Sequence, residues 1–258
     1  MDKPLVLSET ADQIAILTLN HPEKRNALSQ AMLAQLLDHF KSIAVAQSIR
    51  VVILRAAGPA FSAGHDLREL VGGQKGQYQE LFALCTEVME AIRKLPQPVI
   101  AQVHGVATAA GCQLAATCDL VVAAENASFA TPGVKIGLFC STPAVALARA
   151  VPPKKAMEML LTGNLISARE AERIGLVSRV VPSDRLAEET MNLARQISTA
   201  SSYTIALGKR TFYEQLHLGR PEAYEVACRA MVENAQAADA EEGIRAFLEK
   251  RPPKWSGQ

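Results

Sequence analysis

An excess of charge of either sign is the first thing this chain lacks. Across 258 residues, 27 Lys and Arg stand against 26 Asp and Glu, a net charge of +1. No global field therefore draws the protein towards nucleic acid or an anionic membrane, and any anionic ligand is met by local groups. Long apolar runs are also missing: the longest, Ala144 to Val151, is interrupted by Arg149 and falls well short of the roughly 20 residues that span a bilayer. The opening segment Met1-Asp2-Lys3-Pro4-Leu5 has neither an apolar signal core nor an Arg-rich presequence, so we expect a cytoplasmic protein, or a mitochondrial matrix protein if the chain is a processed form. Cysteine is present without pattern. Cys85, Cys112, Cys118, Cys140 and Cys228 are odd in number and show no CxxC spacing, which argues against a disulfide framework or a metal site and for reduced core thiols.

What is present reads as an α/β chain. Short strand-like runs, Ile14 to Leu19, Val51 to Leu54, Val99 to Val103, Leu120 to Ala123 and Val177 to Val181, alternate with amphipathic helical patterns, the signature of crossover units and a mainly parallel sheet. Ser29 is placed to cap a helix with Leu33, Leu36, Leu37, Phe40 and Ile43 on one face. Leu81, Leu84, Cys85, Val88, Ile92 and Leu95 form a second stripe, and core packing accounts for both. After Pro182 the pattern is helical, giving a core unit at residues 1–182 and a helical region at 183–258. In the last helix Asp239 and Glu242 have capping-box spacing, Ile244, Phe247 and Leu248 form the apolar side, and Pro252 and Pro253 stop it.

The segment Gly105-Val106-Ala107-Thr108-Ala109-Ala110-Gly111-Cys112-Gln113-Leu114 carries a tension. Its small residues let a backbone approach a ligand and open a helix whose free N–H groups face developing negative charge. Gln113, about one turn in, stands where an acid/base group is useful, yet an amide exchanges no proton near neutral pH.

Further motifs give this segment a context. Phe61-Ser62-Ala63-Gly64-His65-Asp66-Leu67 resembles the FxxGxDL segment of the crotonase superfamily, the enoyl-CoA hydratase/isomerase family. His21-Pro22-Glu23-Lys24-Arg25-Asn26-Ala27-Leu28-Ser29, Pro98-Val99-Ile100-Ala101, Gly111-Cys112-Gln113-Leu114, Cys118-Asp119, Leu161-Thr162-Gly163, Gly175-Leu176-Val177 and Phe247-Leu248-Glu249-Lys250-Arg251 follow in that family's order. The resemblance covers essentially the whole chain.

It implies a ClpP/crotonase-like spiral of ββα units with a helical C-terminal trimerisation region, assembling as homotrimers or as hexamers built from two trimers. It implies acyl-CoA thioesters as ligands, with no other cofactor, no metal, and no nucleic-acid or membrane partner. Two backbone amides, those of His65 and Ala110, are implied to hold the thioester oxygen; losing one such donor costs on the order of 100-fold to 1000-fold in rate. CoA contacts are implied for Lys24, Arg25, Ala27 and Leu28, then Asp66, Leu67 and Arg68, with Phe247 and Lys250 contributed by a neighbouring subunit. Asp66 also suits an N-cap.

The departure lies at the acid/base pair, where the family's hydratases carry two glutamates. Gln113 takes the first position and Gly133 the second, and no Asp or Glu occurs between Glu125 and Glu158 to replace it. Cys140 and Ser141 are candidate nucleophiles or, alternatively, a buried thiol and a capping hydroxyl; Glu69 and Glu90 are candidate replacement acids. If only the acid/base pair is missing, Gln113→Glu together with Gly133→Glu creates hydration. Two readings stay open: a nominal lyase or isomerase of fatty-acid metabolism with an atypical site, and a non-catalytic acyl-CoA binder or sensor. An RNA-binding role is disfavoured by the charge balance and the lack of a basic, aromatic-rich stretch.

Overall fold

The computed structural model describes residues 3–258. Strand β2 (Ile14–Leu19) is buried along its whole length, as IAILTL dictates: successive side chains point to opposite faces and both faces are apolar. It pairs antiparallel with β1 (Val6–Ala11) and parallel with β3 (Val51–Ala56). The parallel series continues through β4 (Val99–Val103), β6 (Leu120–Ala124) and β9 (Arg179–Val181), a six-stranded sheet. A smaller sheet holds β5 (Val106–Thr108), β7 (Ser128–Ala130) and β8 (Ile166–Ser167). Two turns of the chain give one strand to each sheet before a helix follows, β4 then β5 and β6 then β7. Ser62, after β3, adds a single parallel bridge to Ala107. The chain thus forms the expected spiral of ββα units.

Ser29 caps α1 (Gln30–Ala44), its hydroxyl accepting from the Met32 amide at 3.3 Å. The buried face of α1 is Leu33, Leu36, Leu37, Phe40 and Ile43, and that of α2 (Lys75–Lys94) includes Leu81, Cys85, Val88 and Ile92, with Leu84 half-buried. Truncating a fully buried leucine such as Leu36 to alanine costs about 2–5 kcal/mol. The other face of the large sheet, Ile14, Ile16, Val51, Ile53 and Ile100, packs on Leu186, Leu193 and Ala194 of α7 (Leu186–Ser198). The first long helix after Pro182 therefore completes the sheet's core. Between these lie α3 (Ala110–Thr117), α4 (Ser141–Ala150), α5 (Pro153–Thr162) and α6 (Ala168–Arg173).

Three helices follow: α8 (Ser202–Gln215), α9 (Arg220–Ala235) and α10 (Ala238–Leu248). Lys209 of α8 reaches into the core, donating to Ile92 O (2.9 Å), Gln97 O (3.0 Å) and Asp119 Oδ2 (2.7 Å). Asp119 also accepts from the Val99 amide and the Tyr213 hydroxyl, each at 2.7 Å.

One expectation for α10 needs correction. Asp239 does not cap it: the cap position is Ala237, without a side-chain bond. Asp239 is the second residue of the helix, fully buried, and accepts from Ser201 Oγ, the Ser256 amide and hydroxyl, and the Gly257 amide. Glu242 likewise holds Arg251 and the Lys254 amide. Both carboxylates clasp the tail because it folds back along α10. Ile244, Phe247 and Leu248, the apolar side of α10, face outward at 62%, 82% and 74% exposed, and Ala246 is the buried apolar position.

Candidate active site

Two loops are zipped together at the start of the site. The Leu28 amide donates to Gly64 O (2.7 Å), the Ala63 amide to Arg25 O (3.0 Å) and Ser62 Oγ to Asn26 O (2.9 Å). Asn26 makes this possible. It is fully buried with φ 51°, a conformation asparagine tolerates better than most residues. Its Oδ1 accepts from the His21 amide and its Nδ2 donates to Ala57 O and Ala60 O, all at 2.8 Å. Asn26 stands in the His21–Ser29 motif, but local spacing carries no sign of its bonds to Ala57 and Ala60, more than 30 residues away.

The zipper brings together most of the loop residues singled out above. Lys24 Nζ lies 3.4 Å from Asp66 Oδ2, and Asp66 caps the short 3-10 turn Leu67–Leu70 by accepting from the Arg68 amide at 3.1 Å. Burial pushes the Asp66 carboxyl up, but the Arg68 amide and Lys24 more than offset this and leave it below its ordinary value. Ala27 and Leu28 are buried, whereas Arg25, Leu67 and Arg68 are exposed around them. Leu28's backbone is engaged within the protein, its carbonyl facing His65 Nδ1 at 3.0 Å. A carbonyl only accepts, so Nδ1 carries the proton and Nε2 holds the bare lone pair, buried without a partner. Burial lowers the His65 pKa, with the bond to Leu28 opposing, and the imidazole stays neutral near neutral pH.

Against this loop stands the start of α3. A β-carbon on Gly111 would meet Ser62 O at 2.4 Å, so only glycine lets the helix seat there. Ala109, just before it, has φ 51° and ψ −120°, the glycine-favouring geometry of the first corner of a type II′ turn. Its amide is held by Ala130 O at 2.9 Å, and the preceding Thr108 amide by Ser62 O at 2.9 Å. Ala110 itself begins regular helix, so the backbone that favours glycine lies one residue earlier, at Ala109. Among the described residues, neither the His65 amide nor the Ala110 amide has a protein acceptor.

Gln113 follows one turn on, 5% exposed, its Oε1 buried without a partner. Gly133 lies in the 3-10 turn Pro132–Ile136, closed by the Leu138 amide donating to Gly133 O at 3.0 Å. A β-carbon at Gly133 would stand 2.0 Å from Leu138 O and 2.8 Å from Cys140 Sγ. The position has no room for a side chain, which undercuts the expectation that two glutamates can simply be put back. Cys140 is buried and its thiol pKa is raised by that burial; Cys112 is pushed up to about 12 for the same reason, so neither is a ready thiolate. Ser141 is the first residue of α4 rather than its cap.

The two candidate replacement acids separate. Glu69 accepts from the Gln30 amide (3.0 Å) and so serves the start of α1. Glu90, paired with Lys94 at 3.4 Å, lines the same cavity as Gln113. Phe247 and Lys250 lie elsewhere in the chain: α10 packs on α8 and α9, and no hydrogen bond or ion pair among the described residues links it to the zipped loops.

A spiral of ββα units crossed by short helices, with a C-terminal helical region, is the crotonase fold. The family model for enoyl-CoA hydratase/isomerase matches residues 9–258, and the chain belongs to that family. Similar proteins include rat "enoyl-CoA hydratase domain-containing protein 3, mitochondrial", 52% identical over 253 residues that cover 98% of this chain and 84% of that one. Crystal structures of the human protein of that name and of a Mycobacterium smegmatis enoyl-CoA hydratase superpose with TM-scores of 0.95 and 0.96, at 51% and 48% identity. Each covers 98% of this chain, and 100% and 99% of the respective structures. No helix among the described residues is long and apolar enough to cross a membrane.

Proposed function

We propose that this chain binds acyl-CoA thioesters and stabilises a thioester enolate or oxyanion with the His65 and Ala110 amides, as a nominal enoyl-CoA hydratase/isomerase of fatty-acid metabolism. The observation that carries the reading is the pair of amides without acceptors, one in the loop after Gly64 and one at the start of α3. Donors already aimed at the position of developing charge contribute without reorganising during reaction. CoA is bound by Lys24, Arg25, Ala27, Leu28, Asp66, Leu67 and Arg68 in one subunit, with Phe247 and Lys250 of a neighbour in a trimer or hexamer. The exposed apolar side of α10 supports that last point. Conventional hydration is weak or absent, because Gln113 and Gly133 take the places of the family's two glutamates. A cytoplasmic setting belongs to the same proposal, with the mitochondrial matrix as the alternative favoured by vertebrate relatives named as mitochondrial.

A second reading, a non-catalytic acyl-CoA binder or sensor, is favoured by the crowding at Gly133, where no side chain fits. Calorimetric titration with a series of acyl-CoAs, paired with mass spectrometry of the same mixtures, tests both. Binding with little loss of crotonyl-CoA absorbance is expected. Efficient hydration overturns the account of Gln113 and Gly133, failure to bind any thioester overturns the whole reading, and binding with no product from any thioester selects the sensor.

A further inference from the structure

Beyond Gln113 the protein forms a cavity of about 660 Å³ between α2, the later part of α3, α4 and α8. It begins close to the paired amides: Gln113 is three residues past Ala110, about 4.5 Å along the helix axis, and Thr117 lines the same space one turn further on. An acyl chain leaving a thioester held at Ala110 has this space to enter. Met89, Ala116 and Ala146 give it apolar walls, as a hydrocarbon requires.

The same lining also carries two arginines. Arg93 of α2 lies over the Tyr213 ring, 4.2 Å from the centroid, and Arg149 of α4 donates to Val145 O at 2.9 Å. Both line the cavity. The carboxylates of the same lining are paired with lysines, Glu90 with Lys94 at 3.4 Å and Asp119 with Lys209 at 2.7 Å. Neither guanidinium forms an ion pair among the described residues. A lone surface arginine needs no explanation. Two from different helices on one cavity, with the neighbouring acids already neutralised, present permanent positive charge and a fork of donors to whatever enters.

We infer that this cavity is an acyl-tail subsite for CoA thioesters of dicarboxylic acids, with the distal carboxylate received by Arg93 and Arg149. The inference rests on the thioester-binding reading above and adds the class of acyl group. A methyl-terminated chain gains nothing from the two guanidiniums, whereas a carboxylate gains charge-assisted hydrogen bonds.

Calorimetry on the full chain tests this with matched pairs: hexanedioyl- against hexanoyl-CoA, octanedioyl- against octanoyl-CoA, and decanedioyl- against decanoyl-CoA. For at least one length the dicarboxylic thioester should bind about tenfold more tightly or better, the size expected of charge-assisted bonds. Arg149→Gln, at an exposed position on α4, should reduce that preference and leave the plain acyl-CoA within about twofold of wild type, as the lost bond serves only the carboxylate. Arg93→Gln should do the same, and Arg149→Gln keeps the test informative if loss of the Tyr213 stack unfolds the other variant. Equal affinity within every pair, or a preference that survives both substitutions, overturns the subsite and leaves thioester binding intact. Failure of both series to bind overturns the subsite together with the reading beneath it.

Discussion

A β-carbon placed on Gly64 would stand 3.3 Å from the Ala110 nitrogen and 2.8 Å from the Ala109 β-carbon. Gly64 also has φ +94°, which an alanine adopts only at a cost of about 1–3 kcal/mol. Gly64→Ala should therefore lower the melting temperature and, by pushing the two amides apart, weaken binding of a non-hydrolysable acyl-CoA analogue. Scanning calorimetry and titration calorimetry on one preparation check both effects. A stable variant with unchanged affinity would show that the amide pair is not what grips the thioester.

Position 133 gives a second prediction. Gly133→Glu must displace Leu138 O, 2.0 Å from the added β-carbon, and overpacking of this kind costs about 1–3 kcal/mol or more. Gln113→Glu keeps shape and volume and should fold. The double variant should unfold at lower denaturant than Gln113→Glu alone and hydrate crotonyl-CoA no faster. Gain of hydration in a stable double variant would reverse this account.

The Asp119–Lys209 pair gives a third. Lys209 is 7% exposed and Asp119 13% at the side chain, so removing one partner leaves a buried charge uncompensated. Breaking such a pair costs about 3–5 kcal/mol. Lys209→Met should show that loss in urea denaturation, and Asp119→Asn combined with Lys209→Met should recover part of it. A loss below about 1 kcal/mol would place the pair among ordinary surface ion pairs.

Acid should release the C-terminal tail. Arg251 holds the Glu242 carboxyl down to about 2 from an ordinary 4.5. Burial pushes Asp239 up, yet bonds from Ser201, Ser256 and Gly257 outweigh it and leave it below 3.8. A carboxyl whose folded pKa is depressed stabilises the fold fully above its unfolded value and loses that contribution as pH falls through the folded one. For Glu242 that window is about 4.5 down to 2. The single tryptophan, Trp255, sits in this tail, donating to Thr199 O at 2.7 Å. Its emission should shift to longer wavelength across that window, and Glu242→Gln should move the change to higher pH.

Much of the architecture was legible because it rests on periodicity. Strands β2, β4 and β6 and the faces of α1 and α2 follow from apolar spacing alone. β5, β7 and β8 were missed because strands of two or three residues carry no period, and β1 because five of its six residues face solvent. The loop motifs located Gly64, His65, Asp66 and the start of α3. What spacing could not reveal was long-range: Asn26 pinning two loops, Asp239 turned from cap to clasp, and Lys209 crossing from α8 to Asp119. Local pattern does not encode which distant backbone a polar side chain will satisfy. Gly133 read as a missing acid, while its crowding depends on Leu138 and Cys140 five and seven residues away.

The backbone at Ala109 has a further meaning. An alanine at φ 51° and ψ −120° would relax in an isolated loop; here Ala130 O on one side and α3 on the other hold it. The energy that fixes the direction of the Ala110 amide is thus supplied by folding, before any ligand arrives. Binding then has no ordering to perform at that donor, which favours affinity. It also leaves the proposed oxyanion grip with little tolerance for repair: a glycine at 109 would relieve the conformation and loosen the aim of the amide along with it.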